Sequence, residues 1–416
     1  MPPSTLRRLL IRVAVAVFVV VVVITLVLVG SVFGPPLFSG GLFLAWPNRN
    51  ASVARDLPPS YKPLHQGHVD LATGLYIRED EDLVLTHTPA FVWRRAYLSG
   101  DHVSRQFGIG ATHNAEWYLI GDGTRFQWAE LIREDGSRIH FDRLTPGTSY
   151  LNAVYGHVSS PTWFYGSLVG WTGLEWALRP RDGSVLLFQD CGPSNDVCSL
   201  LKIRDTNGHT IVFNRNRRGA VRTIDNGRQH ISFEYDAQHR ITRAFDDSTH
   251  TVEYAYDSGG RLVRAESADA IRSYTYDSAN HLLSIREPNR FIENVYDRAG
   301  RLIHQTVHRP NTPDYTEMFS YIVDGGSVVE AKVTEDDGSH TRYRFDERHN
   351  ITLESYEASE GPSAIVSFDR AAGGFVRGLT VRCTKNGKRV TETVEVRPGD
   401  EERVKGELIE TKCDRH

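Results

Sequence analysis

The feature that most constrains this chain is a repeat of about twenty residues. Tyr235-Asp236, Tyr256-Asp257, Tyr276-Asp277 and Tyr296-Asp297 follow one another at separations of 21, 20 and 20 residues. Each pair leads into a polar turn and then a basic residue before an apolar one: Arg240-Ile241, Arg261-Leu262, His281-Leu282 and Arg301-Leu302. A hairpin satisfies all of these positions. The Asp accepts hydrogen bonds from the turn backbone, Gly260, Asn280 or Gly300 supplies the position that tolerates positive φ, and Leu or Ile resumes the buried face. Tyr254 and Tyr256, like Tyr274 and Tyr276, lie two residues apart, so stacked hairpins align their rings along one surface of the sheet. Weaker copies extend the array, from Phe213-Asn214 to Gly219-Ala-Val221 before it and at Phe345-Asp346 and Phe368-Asp369 after it.

The rest of the chain past residue 63 reads the same way. Segments of alternating polarity such as Thr251–Tyr256 and Thr391–Val396 are bounded by Gly, Asn or Asp, and no long segment there sustains a helical apolar period. With 416 residues, 40% hydrophobic and 24% charged, the chain suffices for two or three domains and is not globally disordered. Its 48 basic and 52 acidic residues leave a formal charge of −4, so nucleic acid is not expected as a partner. Only seven of the basic residues are Lys, which leaves 48 − 7 = 41 Arg. That bias reflects either genome composition or Arg-lined contacts to anions and sugars.

Tyr256-Asp-Ser-Gly-Gly-Arg-Leu262 and Tyr296-Asp-Arg-Ala-Gly-Arg-Leu302 resemble the YD repeat of the Rhs family, which includes bacterial polymorphic toxins and is related to animal teneurins. Upstream, Val69-Asp-Leu-Ala-Thr-Gly74, Asp82-Leu-Val-Leu85, Arg95-Ala-Tyr97-Leu-Ser99 and Phe107-Gly-Ile-Gly110 are similar, in order, to the β-domain that precedes the repeats in Rhs proteins. That domain usually ends this stretch with Gly-Trp, whereas here Ala111 follows Gly110 and Trp117 lies farther on. Arg133–Phe141, Arg181–Phe188 and Arg204–Phe213 look like the family's Asp-Gly hairpins, and the resemblance spans residues 65 to 375. It implies an all-β fold: a curved antiparallel sheet of stacked YD-repeat hairpins, a partial Rhs-like shell, preceded by a β-rich domain; the one N-terminal transmembrane helix expected ahead of them is read from the amino end itself and departs from the family. Toxin-carrying relatives have many more repeats, which enclose a C-terminal toxin, and an Asp-Pro-x-Gly-Leu segment where it is released. No such segment occurs here, so a half-shell without an effector is expected.

At the amino end, Arg7, Arg8 and Arg12 precede a run from Val13 to Val29 that is apolar but for Thr25. That run is near the short limit for a spanning helix, and the basic residues before it orient the N-terminus to the cytoplasm. The expectation is a single-pass anchor with the bulk of the chain periplasmic or extracellular, the alternative being a cleaved signal peptide. Residues 32–63, broken by Pro35-Pro36, Gly40-Gly41, Trp46-Pro47 and Pro58-Pro59, form a linker. The expected organisation is a stub and anchor at 1–31, that linker, a β-domain at 64–225, the YD-repeat region at 226–382 and a tail at 383–416. On the exported side, four cysteines form an even set, and proximity pairs Cys191 with Cys198 and Cys383 with Cys413 among three possible connectivities.

No catalytic, cofactor-binding or metal-binding residue is expected. His-Glu-x-x-His, a phosphate-binding loop and Gly-x-Ser-x-Gly are all missing from the sequence, and His304 and His308 on a strand stand about 13 Å apart, too far to share an ion. Asp236, Asp257, Asp277 and Asp297 occupy one repeated turn position, whereas a glycosidase needs its two carboxylates in unlike surroundings. The repeat-defining residues Tyr235, Asp236, Tyr256, Asp257, Gly260, Arg261, Tyr276, Asp277, Tyr296, Asp297, Gly300 and Arg301 therefore read as structural. The Tyr rings either pack the sheet or form a stacking platform for sugars or peptides. A binding site elsewhere is sought around Trp117, Trp128, Trp163, Trp171 and Trp176. The functional expectation is a non-catalytic scaffold or binding module with a glycan or envelope-protein partner, the alternative being a component of a toxin-delivery system.

Overall fold

The computed structural model describes residues 64–413 except 67, 123–125, 158–163, 165, 191–196, 360–362, 372–375 and 398–399. The expected membrane span and linker lie outside the described residues, and among those described no helix is long and apolar enough to cross a membrane. The fold is otherwise almost all β, in three parts that follow chain order.

The first part is a five-stranded sheet made of Leu64–His65, Val69–Asp70, Leu75–Leu85, Phe91–Leu98 and Ala111–His113. The second is a closed ring, and here the structure departs from the expected open curve. Eight strands pair antiparallel in sequence order, from Tyr118–Gly121 through Trp128–Ile132, Arg138–Arg143, Val154–Gly156, Leu168–Trp171, Trp176–Arg179 and Val185–Phe188 to Cys198–Arg204. The last strand returns to the first, with Cys198 opposite Leu119 and Ser199 opposite Tyr118. A ring of about eight strands has an interior just wide enough for side chains to fill. Phe141, Tyr155, Trp176 and Phe188, each at most 1% exposed, fill this one.

The strand Cys198–Arg204 belongs to two structures at once. Its first half closes the ring, and its second half, Lys202 to Arg204, pairs with Thr210–Arg215 and starts a ribbon. Seventeen described strands follow one another antiparallel in that ribbon, ending at Lys388–Glu395. The YD repeats form its middle. Alternation along each strand sets one face inward, as in Thr251–Tyr256, where Val252 and Tyr254 are buried and Glu253 and Ala255 exposed.

The inward face of the ribbon is covered by the N-terminal sheet. Trp93 lies 4.5 Å from Phe233 between ring centroids, Phe107 lies 4.9 Å from Tyr254, and Tyr97 lies 5.8 Å from Tyr276. One hydrophobic core runs without a break from Val69 to Val333. Main-chain bonds add to it: Leu302 N donates to Gly74 O at 2.8 Å, Ile241 N to Gln106 O at 2.7 Å, and Ile109 N to Gly260 O at 3.1 Å. These bonds explain a glycine of the upstream motif. Gly108 has φ of +82°, and a Cβ built there would stand 2.2 Å from Gly260 O. Only a residue without a side chain lets the two backbones meet.

Val376–Lys385 and Lys388–Glu395 finish the ribbon, and the helix Glu401–Lys412 packs back on them. Its apolar face is only Val404, Leu408 and Ile409, too few for its helical period to show in the sequence. Together they form a second, smaller core, stapled by the Cys383–Cys413 disulfide.

Candidate functional site

Each complete repeat solves its turn in one way. In the turn after Tyr256, Asp257 O accepts from Gly260 N and Asp257 N donates to Arg261 O, both at 3.0 Å, with Gly260 at φ +84°. This is a type I turn closed by a left-handed residue, and a register shift falls just before the Tyr. The Asp257 Oδ1 accepts from Arg261 N at 2.9 Å, and Oδ2 from Arg261 Nε at 2.7 Å. Asp236 with Arg240, Asp277 with His281 and Asp297 with Arg301 repeat the arrangement. The four Asp thus sit in equivalent turns.

The structure adds two roles the sequence reading missed. The basic residue of one repeat covers the Tyr of the next: the Arg240 guanidinium lies 4.4 Å from the Tyr256 ring, Arg261 5.4 Å from Tyr276, and the His281 ring stacks on Tyr296 at 4.8 Å. Each Tyr hydroxyl then donates to the carbonyl of the apolar residue one repeat earlier. Tyr256 reaches Ile241 O at 2.6 Å, Tyr276 reaches Leu262 O at 2.7 Å, and Tyr296 reaches Leu282 O at 3.0 Å. Tyr235 donates in the same way to Val221 O. At the two ends an arginine takes over, Arg215 donating to Leu200 O and Arg370 to Ile351 O. Arg215 therefore occupies the Tyr position of the first copy, and the register is Arg215-Asn216, not the Phe213-Asn214 read from the sequence.

The rings expected as a ladder are packing elements. Tyr254 and Tyr274 are each 5% exposed and enter a buried ionic network that joins the ribbon to the N-terminal sheet. Tyr254 donates to Asp82 Oδ2 at 2.7 Å and Tyr274 to Asp80 Oδ2 at 2.9 Å. Arg95 donates to Asp82 through Nε at 2.5 Å and to the Tyr274 hydroxyl at 3.1 Å, while Arg272 and Arg78 complete the charge balance on Asp82 and Asp80. Burial opposes the charge of Asp80, but Arg95 and Arg78 outweigh it and hold the carboxyl well below the usual range. Burial pushes the Tyr254 and Tyr274 hydroxyls up, so both remain protonated donors. These groups are engaged with one another and form a joint between the ribbon and the N-terminal sheet.

The other expected sites divide. Trp171 and Trp176 are buried inside the ring, Trp117 packs on Phe164, and Trp163 lies outside the described residues. Cys198 is disulfide-bonded, and its expected partner Cys191 lies outside the described residues. His308 is held by Glu293 and Asp314 at 2.9 and 2.8 Å. Among the described residues no group of three or more His, Cys, Asp and Glu side chains is placed to hold one ion.

The remaining candidate is a cavity of about 660 Å³ at the seam where ring, ribbon and N-terminal sheet meet. Its lining includes four arginines, Arg105, Arg215, Arg217 and Arg218, against one carboxylate, Glu116. Arg105 is paired with Asp101. Glu116 accepts from Gln106 Nε2 at 2.7 Å and from Thr112 Oγ1 at 2.5 Å; burial disfavours its charge, but His113, Thr112 and Arg105 prevail and lower its pKa. Arg215 donates to the carbonyls of Leu200, Ala115 and Gly219. Burial pushes its pKa down to about 10 despite the attraction of Glu116 and Tyr235. Arg217 and Arg218 are exposed at the mouth.

Comparison with known proteins gives two family matches. Residues 66–141 match a family described as Domain of unknown function (DUF6531), and residues 195–351 match Teneurin YD-shell. No curated protein matches the chain. Among solved structures, a porin-like protein from Bacteroides uniformis aligns at 13% identity over 41% of this chain and 90% of its own, with a TM-score of 0.18, a likeness that carries no argument.

Proposed function

As a member of the Rhs/YD-repeat family, to which the matches over residues 66–141 and 195–351 assign it, this chain is, we propose, a non-catalytic binding module held at a membrane by its N-terminus. The observation that carries this reading is the division of polar groups between joint and seam. On the inward face of the repeats, Asp80, Asp82, Arg95 and Arg272 neutralise one another, while at the seam cavity Arg217 and Arg218 form no ion pair among the described residues, Arg218 reaching only the neutral acceptor His239 Nδ1. Groups that satisfy each other hold the fold, and cations without a counter-charge are available to an anionic ligand. An extracytoplasmic location is supported by the basic residues ahead of the apolar run at 13–29 and by the disulfide chemistry of Cys198, Cys383 and Cys413. A role as a cargo-holding shell is less favoured, because the N-terminal sheet occupies the face of the ribbon that a cargo would need.

The test is a binding screen of the full chain in mild detergent against a glycan array and an extract of envelope proteins. A saturable ligand from either set is expected. Its absence from both, or turnover of any ligand that binds, would overturn the reading.

A further inference from the structure

We propose that the seam cavity takes an acidic saccharide, whose carboxylate is bound by Arg217 and Arg218 and whose hydroxyls meet the amide-rich floor. This names the ligand of the module proposed above and rests on that reading. The first observation is where the repeat breaks its own rule. In four turns an Asp holds Arg or His four residues on, and the turn is close to neutral: Asp236 with Arg240, Asp257 with Arg261, Asp277 with His281, Asp297 with Arg301. In the first copy the acid is Asn216 and the base is Ala220. Asn216 Oδ1 still accepts from Arg218 N at 2.9 Å and Ala220 N at 3.1 Å, so the turn closes without any charge.

The tip of that turn is equally unusual. Elsewhere the two tip residues are Ala237-Gln238, Ser258-Gly259, Ser278-Ala279 and Arg298-Ala299; here they are Arg217-Arg218. Nothing in the hairpin requires two arginines, and every one of these departures lines the cavity. Local rules that a fold does not need to break are most often broken where function requires it.

The second observation is unmet hydrogen-bonding capacity. A guanidinium has five N–H donors, and Arg215 uses four of them, all on carbonyl oxygens. Arg218 donates one N–H to His239 Nδ1 at 3.3 Å, which leaves its other guanidinium donors facing the mouth of the cavity. The third observation is the floor. Gln106 is held at both ends, its Nε2 donating to Glu116 and its Oε1 accepting from Tyr235, but the Gln189 amide oxygen and the Ser199 hydroxyl line the cavity and match sugar hydroxyls, whereas an acidic peptide would use the arginines and leave them idle. The volume falls within the usual range for small-ligand pockets, about 300–1,000 Å³.

The experiment titrates the full chain in mild detergent with an oligogalacturonate, its methyl ester and an oligoglutamate peptide, by calorimetry at low salt. Saturable binding of the oligogalacturonate is expected, at least tenfold weaker for the ester and weakened by added salt. Arg217→Ser/Arg218→Ala, which copies the tip of the Asp277 turn, should keep the wild-type melting temperature and lose at least tenfold in affinity. Arg217→Ser alone should lose part of it. Oligogalacturonate binding unchanged in both variants, equal binding of the ester, or no binding of the oligogalacturonate would overturn the proposal. In each of those cases the binding-module reading stands or falls separately, on its own array and extract.

Discussion

His113 ties the stability of the joint to pH in a way that can be measured. Its ring is 0% exposed, 4.5 Å from the Trp93 ring and 5.9 Å from Phe107. Nδ1 accepts from Ala115 N at 3.3 Å, and Nε2 lies 3.9 Å from Glu116 Oε1 without a hydrogen bond. Burial pushes the pKa from 6.5 down to about 4, Arg215 acts in the same direction, and Glu116 opposes. The unfolded chain therefore takes up a proton as pH falls through 6.5, while the folded protein does not until about 4. The stabilisation is complete above the unfolded value and is lost as pH falls toward the folded one. Over that window each pH step of one costs about 1.4 kcal/mol, so the loss between about pH 7 and about pH 5 is about 2 kcal/mol.

The comparison that isolates this contribution is His113→Phe, which keeps the aromatic packing and removes the titration. At about pH 7 the variant should be less stable by about 1 kcal/mol, from the lost Ala115 bond. By about pH 5 the gap should close and reverse. Urea midpoints followed by Trp fluorescence measure both, and the other histidines titrate alike in the two proteins and cancel. A gap of the same size at the two pH values would refute the burial argument for His113.

Three further outcomes are expected. Gly108→Ala puts a side chain at φ +82° and 2.2 Å from Gly260 O, so it should strain the backbone, break the Ile109–Gly260 bond and destabilise by about 3 kcal/mol in urea unfolding. A loss below about 1 kcal/mol would mean that this contact does not dock the sheet. Tyr276→Phe removes the donor to Leu262 O and should lower stability by about 1 kcal/mol while leaving ligand binding unchanged; weakened binding with no change in melting would restore the platform reading. Cys383→Ser opens a disulfide that spans 30 residues, about 3–4 kcal/mol of loop-closure entropy, and should speed hydrogen exchange in Glu401–Lys412. Equal acceleration in the YD turns would contradict the separation of the two cores.

The repeat was legible because its logic is local. Asp257 and Arg261 are four residues apart, the positive φ falls on Gly260, and Tyr256 sits where the ladder shifts, so one hairpin contains every element of the motif. The same locality made Cys383 and Cys413 a natural pair. The first copy was misaligned by two residues because its marker Tyr is Arg215 and its Asp is Asn216, and only the carbonyl of Leu200 reveals that the two side chains do the same work.

What the linear chain determined by itself, then, is the hairpin unit, its period and the all-β character, since turn chemistry and alternation act over a few residues. The tertiary structure alone decided that Cys198 meets Leu119 to close a ring, that Tyr274 reaches Asp80 across 194 positions, and that Arg217 and Arg218 border a cavity floored by Gln106. Those meetings depend on the accumulated twist and register of many strands, and no short window of sequence carries that sum.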